Sequence, residues 1–170
     1  MRAIFKRELE GYFYTPVGYV FMGVFLTLSG LLFYLYNLQN LSGDLLTFLS
    51  SLTLLTMLLC PLLTMRLICE ERQKRTDQLL YSLPLKVSSV VLGKYFALVT
   101  VFLIPVAIMC FYPIILSMYG EVSLLSAYST IAGFVLMGAA LLAIGMFISS
   151  VTESQVIAAV LTFGAMLAIY

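Results

Sequence analysis

Apolar side chains run in long unbroken stretches, and the charges fall between them. Residues 11–43, 45–65 and 122–152 carry no Asp, Glu, Lys or Arg. A helix rises 1.5 Å per residue, so about 20 apolar residues cross roughly 30 Å of hydrocarbon. The pattern therefore predicts membrane-spanning helices at residues 17–36, 45–65, 95–117, 128–148 and 156–170. The last run holds 15 residues, fewer than the ~17–25 a span needs, so a fifth span continuing beyond residue 170 is expected. Residues 1–15 have another rhythm. Ile4, Phe5, Leu9, Tyr12 and Phe13 recur at helical spacing, with Arg2, Lys6, Arg7 and Glu10 on other sides. That spacing predicts an amphipathic helix lying in the membrane interface and ended by Pro16.

Within the runs, individual residues refine the picture. Tyr34 and Tyr36 suit an aromatic belt at the far end of the first span. Pro61 removes a backbone hydrogen bond and predicts a kink in the second span. The third span carries Pro105 and Pro113. The fourth is rich in small residues (Gly133, Gly138, Ala139, Ala143, Gly145), which predicts close packing by another helix. Ser50, Ser51, Thr53 and Thr56 form a polar patch on the second span. Bonds to the helix's own carbonyls, or to a neighbouring helix, are the favoured reading over the lining of a cargo path.

Composition supports a lipid-embedded chain. Of 170 residues, 62% are hydrophobic and 10% charged, against about 45–50% and 25% in soluble domains. Mean hydropathy is +1.09. The fold class expected is an all-α integral membrane protein: an N-terminal interfacial helix and five visible spans, in one transmembrane domain over residues 1–170. The first run is too long for a signal-peptide core, and no A-x-A site follows it, so it reads as a retained span.

Charge sets the orientation. All nine Lys and Arg lie in the first seven residues or in residues 66–94. Loops 37–44 and 118–127 have none. The positive-inside rule puts the N-terminus and residues 66–94 in the cytoplasm and the two short loops outside. A multi-pass protein of the cell membrane (inner or plasma membrane) is expected.

Several chemistries find no support. There is no His. Cys60, Cys69 and Cys110 have no spacing for a metal site or a disulfide. No G-x-x-x-x-G-K-[ST] string occurs, so no P-loop binds ATP in this chain. No ionisable residue falls in the predicted spans, which argues against an ion-driven carrier. No catalytic residues, cofactor or metal are expected, and the chain reads as a non-enzyme. Nucleic acid is not an expected partner, because the basic residues are needed to fix topology. Those same residues can hold anionic lipids at about 1 kcal/mol each.

Residues 66–94 contain six of the nine basic and three of the eight acidic residues. Glu70/Lys74 and Glu71/Arg75 are i,i+4 pairs in the favourable order, so the second span is expected to continue as helix beyond the membrane. Thr76 can cap a new helix, with Asp77 in its first turn. Leu79, Leu80 and Leu83 then share a side, and Pro84 ends the helix. Ser88 or Ser89 can cap the helix that runs through Gly93 and Lys94 into the third span. The leucines either dip into the headgroup region or fill a groove on a cytoplasmic protein.

The string E-E-R-Q-K-R-T-D-Q-L-L-Y-S-L-P-L, followed by V-V-L-G-K-Y, resembles the inner loop of ABC-2 type transporter permeases. The opening K-R-E-L-E-G-Y-F-Y-T-P-V-G-Y-V-F is similar to the branch that includes gliding-motility-type ABC permeases. The resemblance implies six spans with both termini inside and an N-terminal elbow helix. It also implies a coupling helix between spans two and three, seated on a cytoplasmic ABC ATPase subunit. Carried onto this chain, that helix is residues 76–84, with Thr76, Asp77, Gln78, Leu79, Leu80, Ser82, Leu83 and Pro84 as docking residues. Glu70 and Glu71 lie on its lead-in. The implied function is the permease subunit of an ATP-driven transporter, by similarity an exporter. It would act with a second permease copy or a related permease, in contact with membrane lipid. The alternative is a membrane anchor or scaffold that recruits a cytoplasmic partner and transports nothing.

Overall fold

The computed structural model describes residues 2–39, 45–65, 87–118, 123–152 and 154–169. Helix α1 is Arg2–Tyr14. Helix α2 is Pro16–Phe33, continued by a π-helical turn at Tyr34–Leu38. Then come α3 (Leu45–Thr64), α4 (Val87–Met109), α5 (Tyr112–Ser117), α6 (Leu124–Val151) and α7 (Gln155–Ile169). Among the described residues there is no strand. Four helical stretches among the described residues are long and apolar enough to cross a membrane: Pro16–Leu38, Thr47–Thr64, Val90–Ser117 and Leu124–Val151. Helix α7 is apolar but shorter, at 15 residues.

Prolines place the breaks. Thr15 precedes Pro16 and is extended (φ −101°, ψ 146°), because the proline ring crowds a helical residue before it. Helix α1 ends there, and Pro16 starts α2 at a position where its missing N–H is harmless. Pro113 cannot bond the carbonyl of Met109 and its ring would clash with it. The third span accordingly divides after Met109 and resumes as α5. Pro61 and Pro105, by contrast, lie inside continuous helices.

Some ends differ from the sequence expectation. Residues 88 and 89 are already inside α4, which begins at Val87. Helix α6 is longer at both ends than 128–148. Asn37, expected in the polar loop 37–44, is buried within the π turn. Of the turn expected at 149–155, residues 149–151 belong to α6 and Gln155 already starts α7.

Helices α2, α3, α6 and α4 form a ring, each packing on the next. Within it α3 and α4 lie across from one another, with α2 and α6 between them. Helix α7 covers the α3/α6 side, and α1 packs on α4 and α2. Helix α2 turns Gly18, Phe21, Phe25, Ser29 and Phe33 inward, one per turn. Phe25 meets Phe102 edge-on at 6.1 Å, and Phe33 stacks on Tyr112 at 4.4 Å. Two of the small residues of α6 do what their size suggested. A Cβ on Gly138 would overlap the Phe102 ring, and one on Gly145 would press on the Thr64 side chain. Gly133 faces open space instead. The outward faces stay apolar: Leu125, Leu136 and Phe147 of α6 are all well exposed, as suits a surface solvated by lipid.

Candidate functional site

Glu70, Glu71, Thr76, Asp77, Gln78, Leu79, Leu80, Ser82, Leu83 and Pro84 all lie outside the described residues. What the structure does describe is the pair of stems that carry them. The first stem is the end of α3, at Leu63 and Thr64. The second is the start of α4, from Val87 to Lys94.

Helix α1 is bonded to both stems. The Tyr12 hydroxyl donates to the Leu63 carbonyl at 3.0 Å, in a buried contact. That carbonyl belongs to the last turn of α3, where carbonyls have no partner within the helix. On the other side, Lys94 Nζ lies 3.4 Å from Glu8 Oε1. The Lys94 side chain is 4% exposed and that of Glu8 17%. Lys94 sits in the second turn of α4, on the face that meets α1. Burying an ammonium demands compensation, and leaving a fully buried charge without its partner costs up to about 3–5 kcal/mol.

The corner after α1 fixes this geometry. Gly18, in the first turn of α2, brings its backbone against the Tyr12 carbonyl; a Cβ there would come within 2.6 Å of that oxygen. Any side chain at 18 would push α1 away from the bundle. Glu8 and Tyr12 are i,i+4 neighbours, one turn apart on one face of α1. One face of α1 thus reaches two helices that lie across the ring from each other.

Three of the four residues of the α3 polar patch bond to the helix's own backbone. Ser51, Thr53 and Thr56 donate to the carbonyls of Thr47, Leu49 and Leu52, each four residues earlier. A second polar contact lies between α2 and α5, where Ser29 Oγ and Tyr112 Oη are 3.5 Å apart. Among the described residues no group of His, Cys, Asp and Glu is placed to hold a metal.

Glu8, Tyr12 and Lys94 were not read from sequence as a unit. One signal was available for Lys94: the positions three and four residues either side of it are Val90, Val91, Ala97 and Leu98. A lysine in that setting must find its counter-charge on another element.

Four span-length apolar helices make this a multi-pass, helical membrane protein. A family profile described as "ABC-2 family transporter protein" matches residues 32–170. The chain belongs to that family and is a membrane permease of the ABC transporter type. Leu63, Lys94 and residues 70–84 fall inside the matched stretch, while Glu8 and Tyr12 precede it. No curated protein and no solved structure matches the chain.

Proposed function

We propose that this chain is the permease subunit of an exporter driven by a separate cytoplasmic ATPase, which seats on residues 76–84. Within the ABC-2 family the reading assigns it to the gliding-motility-type branch, on the strength of its opening residues. Helix α1 lies along the cytoplasmic membrane surface, and α7 belongs to a fifth span. ATP-driven closure of two ATPases pushes the docking helix. The push reaches α3 and α4 together, because their ends flank that helix. Two permease copies, or one copy and a related permease, enclose the path.

The observation that carries this reading is the bonding of both stems to one face of α1, through Tyr12 to Leu63 and Glu8 to Lys94. A force applied between the stems is thereby spread across the ring. Left untied, α3 and α4 could respond separately.

The test is purification of the native protein in mild detergent, with co-purifying chains identified by mass spectrometry. An ATPase carrying a Walker A sequence should appear with the wild type. It should be lost on Leu80→Asp, with membrane insertion preserved and transport abolished. A partner without ATPase activity would support the scaffold instead. Normal transport by Leu80→Asp would remove residues 76–84 from the coupling role.

A further inference from the structure

At the corner between α1 and α2 lies a recess of about 380 Å³ lined by Leu9, Glu10, Phe13, Tyr14 and Tyr19. Three of its five residues are aromatic and one is a carboxylate. Phe13 and Tyr19 meet edge-on at 5.9 Å, so their rings form two walls at a steep angle. Tyr14 is 88% exposed and Tyr19 58%. Neither contributes to the core, and no step of the transport reading uses them. Aromatic faces attract a cation through their quadrupole, most strongly when the cation is partly desolvated. A carboxylate in the same recess adds a full negative charge.

We propose that this recess binds the ammonium headgroup of a zwitterionic phospholipid, phosphatidylethanolamine or phosphatidylcholine. The inference rests on α1 lying at the membrane surface, as in the reading above. The ammonium sits against Glu10, Phe13, Tyr14 and Tyr19, over Leu9. Lys6, one turn before Glu10 and 3.7 Å from it, offers a positive charge to the lipid phosphate. The Lys6–Glu10 pair is well exposed (78% and 53%), so both charges are open to a headgroup of opposite pattern. One turn above Tyr19, Gly23 has no heavy atom within 4 Å of where its Cβ would stand. An acyl chain therefore meets open helix surface one turn from the recess. An anionic lipid fits poorly, because Glu10 would face its headgroup.

The experiment is native mass spectrometry of the detergent-solubilised full chain, titrated separately with phosphatidylethanolamine, phosphatidylglycerol and free phosphoethanolamine. Wild type should retain phosphatidylethanolamine at severalfold lower concentration than phosphatidylglycerol, the order of difference that a cation–π contact at an exposed site provides. Glu10→Gln should abolish most of that preference, and Glu10→Lys should reverse it toward phosphatidylglycerol. Glu10 is exposed, so neither change disturbs the fold; an unaltered elution profile checks this. Tyr19→Leu keeps an apolar side chain, removes a ring face and should weaken retention several-fold. Wild-type retention by Glu10→Gln would overturn the proposal. So would equal retention of the two lipids. Binding of phosphoethanolamine as tight as that of the lipid would overturn it too, pointing to a soluble amine. The readout needs no ATPase, so a failed lipid site leaves the permease reading standing, and an uncoupled permease leaves the lipid site standing.

Discussion

Lys94 and Glu8 are unequal partners, and the inequality makes a prediction. Lys94 is almost fully enclosed while Glu8 keeps some access to solvent. Removing Glu8 deprives a buried ammonium of its carboxylate; removing Lys94 leaves a carboxylate that can rehydrate. Glu8→Ala should therefore lower stability by about 2–3 kcal/mol, and Lys94→Met by less than about 1 kcal/mol. Thermal unfolding in detergent checks both, and Glu8→Ala/Lys94→Met should recover most of the Glu8→Ala loss. Tyr12→Phe leaves the ring and deletes only the bond to Leu63, so about 1 kcal/mol is expected from the same measurement. At this scale the sequence was partly legible. An isolated charge in an apolar helix announces that it needs a partner. It does not say which of several acids supplies it, because that choice is made across 86 residues of chain.

Helix α6 shows what a whole element adds. Its small residues read as a packing face, yet they fall on more than one side of the helix. Gly138 and Gly145 are buried against Phe102 and Thr64, whereas Gly133 looks outward. Gly138→Ala should cost about 1–3 kcal/mol, since the Phe102 ring is fully enclosed and cannot step aside. Adding Phe102→Leu should restore part of the loss by freeing that space. Gly133→Ala should stay within about 1 kcal/mol of wild type or gain slightly from helix propensity. Differential thermal melting of the three variants separates the faces. Sequence alone could not sort them, because lipid and protein interior are both apolar. In a soluble helix the polar face marks the outside; in α6 all sides are hydrophobic. The corner at Thr15–Pro16 was easier to read, because it acts through backbone sterics, which are local and independent of packing. The same sterics divide the third span before Pro113, where the sequence pattern reads as one run.

For the molecule as a whole, the arrangement of charge predicts a topology that can be measured directly. In a background with Cys60, Cys69 and Cys110 replaced, a cysteine at Ser42 should react with an impermeant thiol reagent on intact cells. A cysteine at Ser88 should react only after permeabilisation. The reverse labelling pattern would invert the orientation and place residues 66–94 outside, beyond the reach of any cytoplasmic ATPase. Helix content, the four long spans and the family were legible from the chain, since each depends on runs of residue type or on a contiguous string. The sequence by itself determined that the chain lies in lipid, that Pro16 separates α1 from α2 and which stretch concentrates the charge, because hydropathy, proline sterics and charge placement act over neighbouring residues. The tertiary structure alone decided that α3 and α4 stand across a ring from each other and that one face of α1 binds both. It also decided that Glu10 shares a recess with three aromatic rings. The first two relations join residues far apart in the chain, and the recess depends on the angle of the α1–α2 corner, so packing rather than pattern selects them.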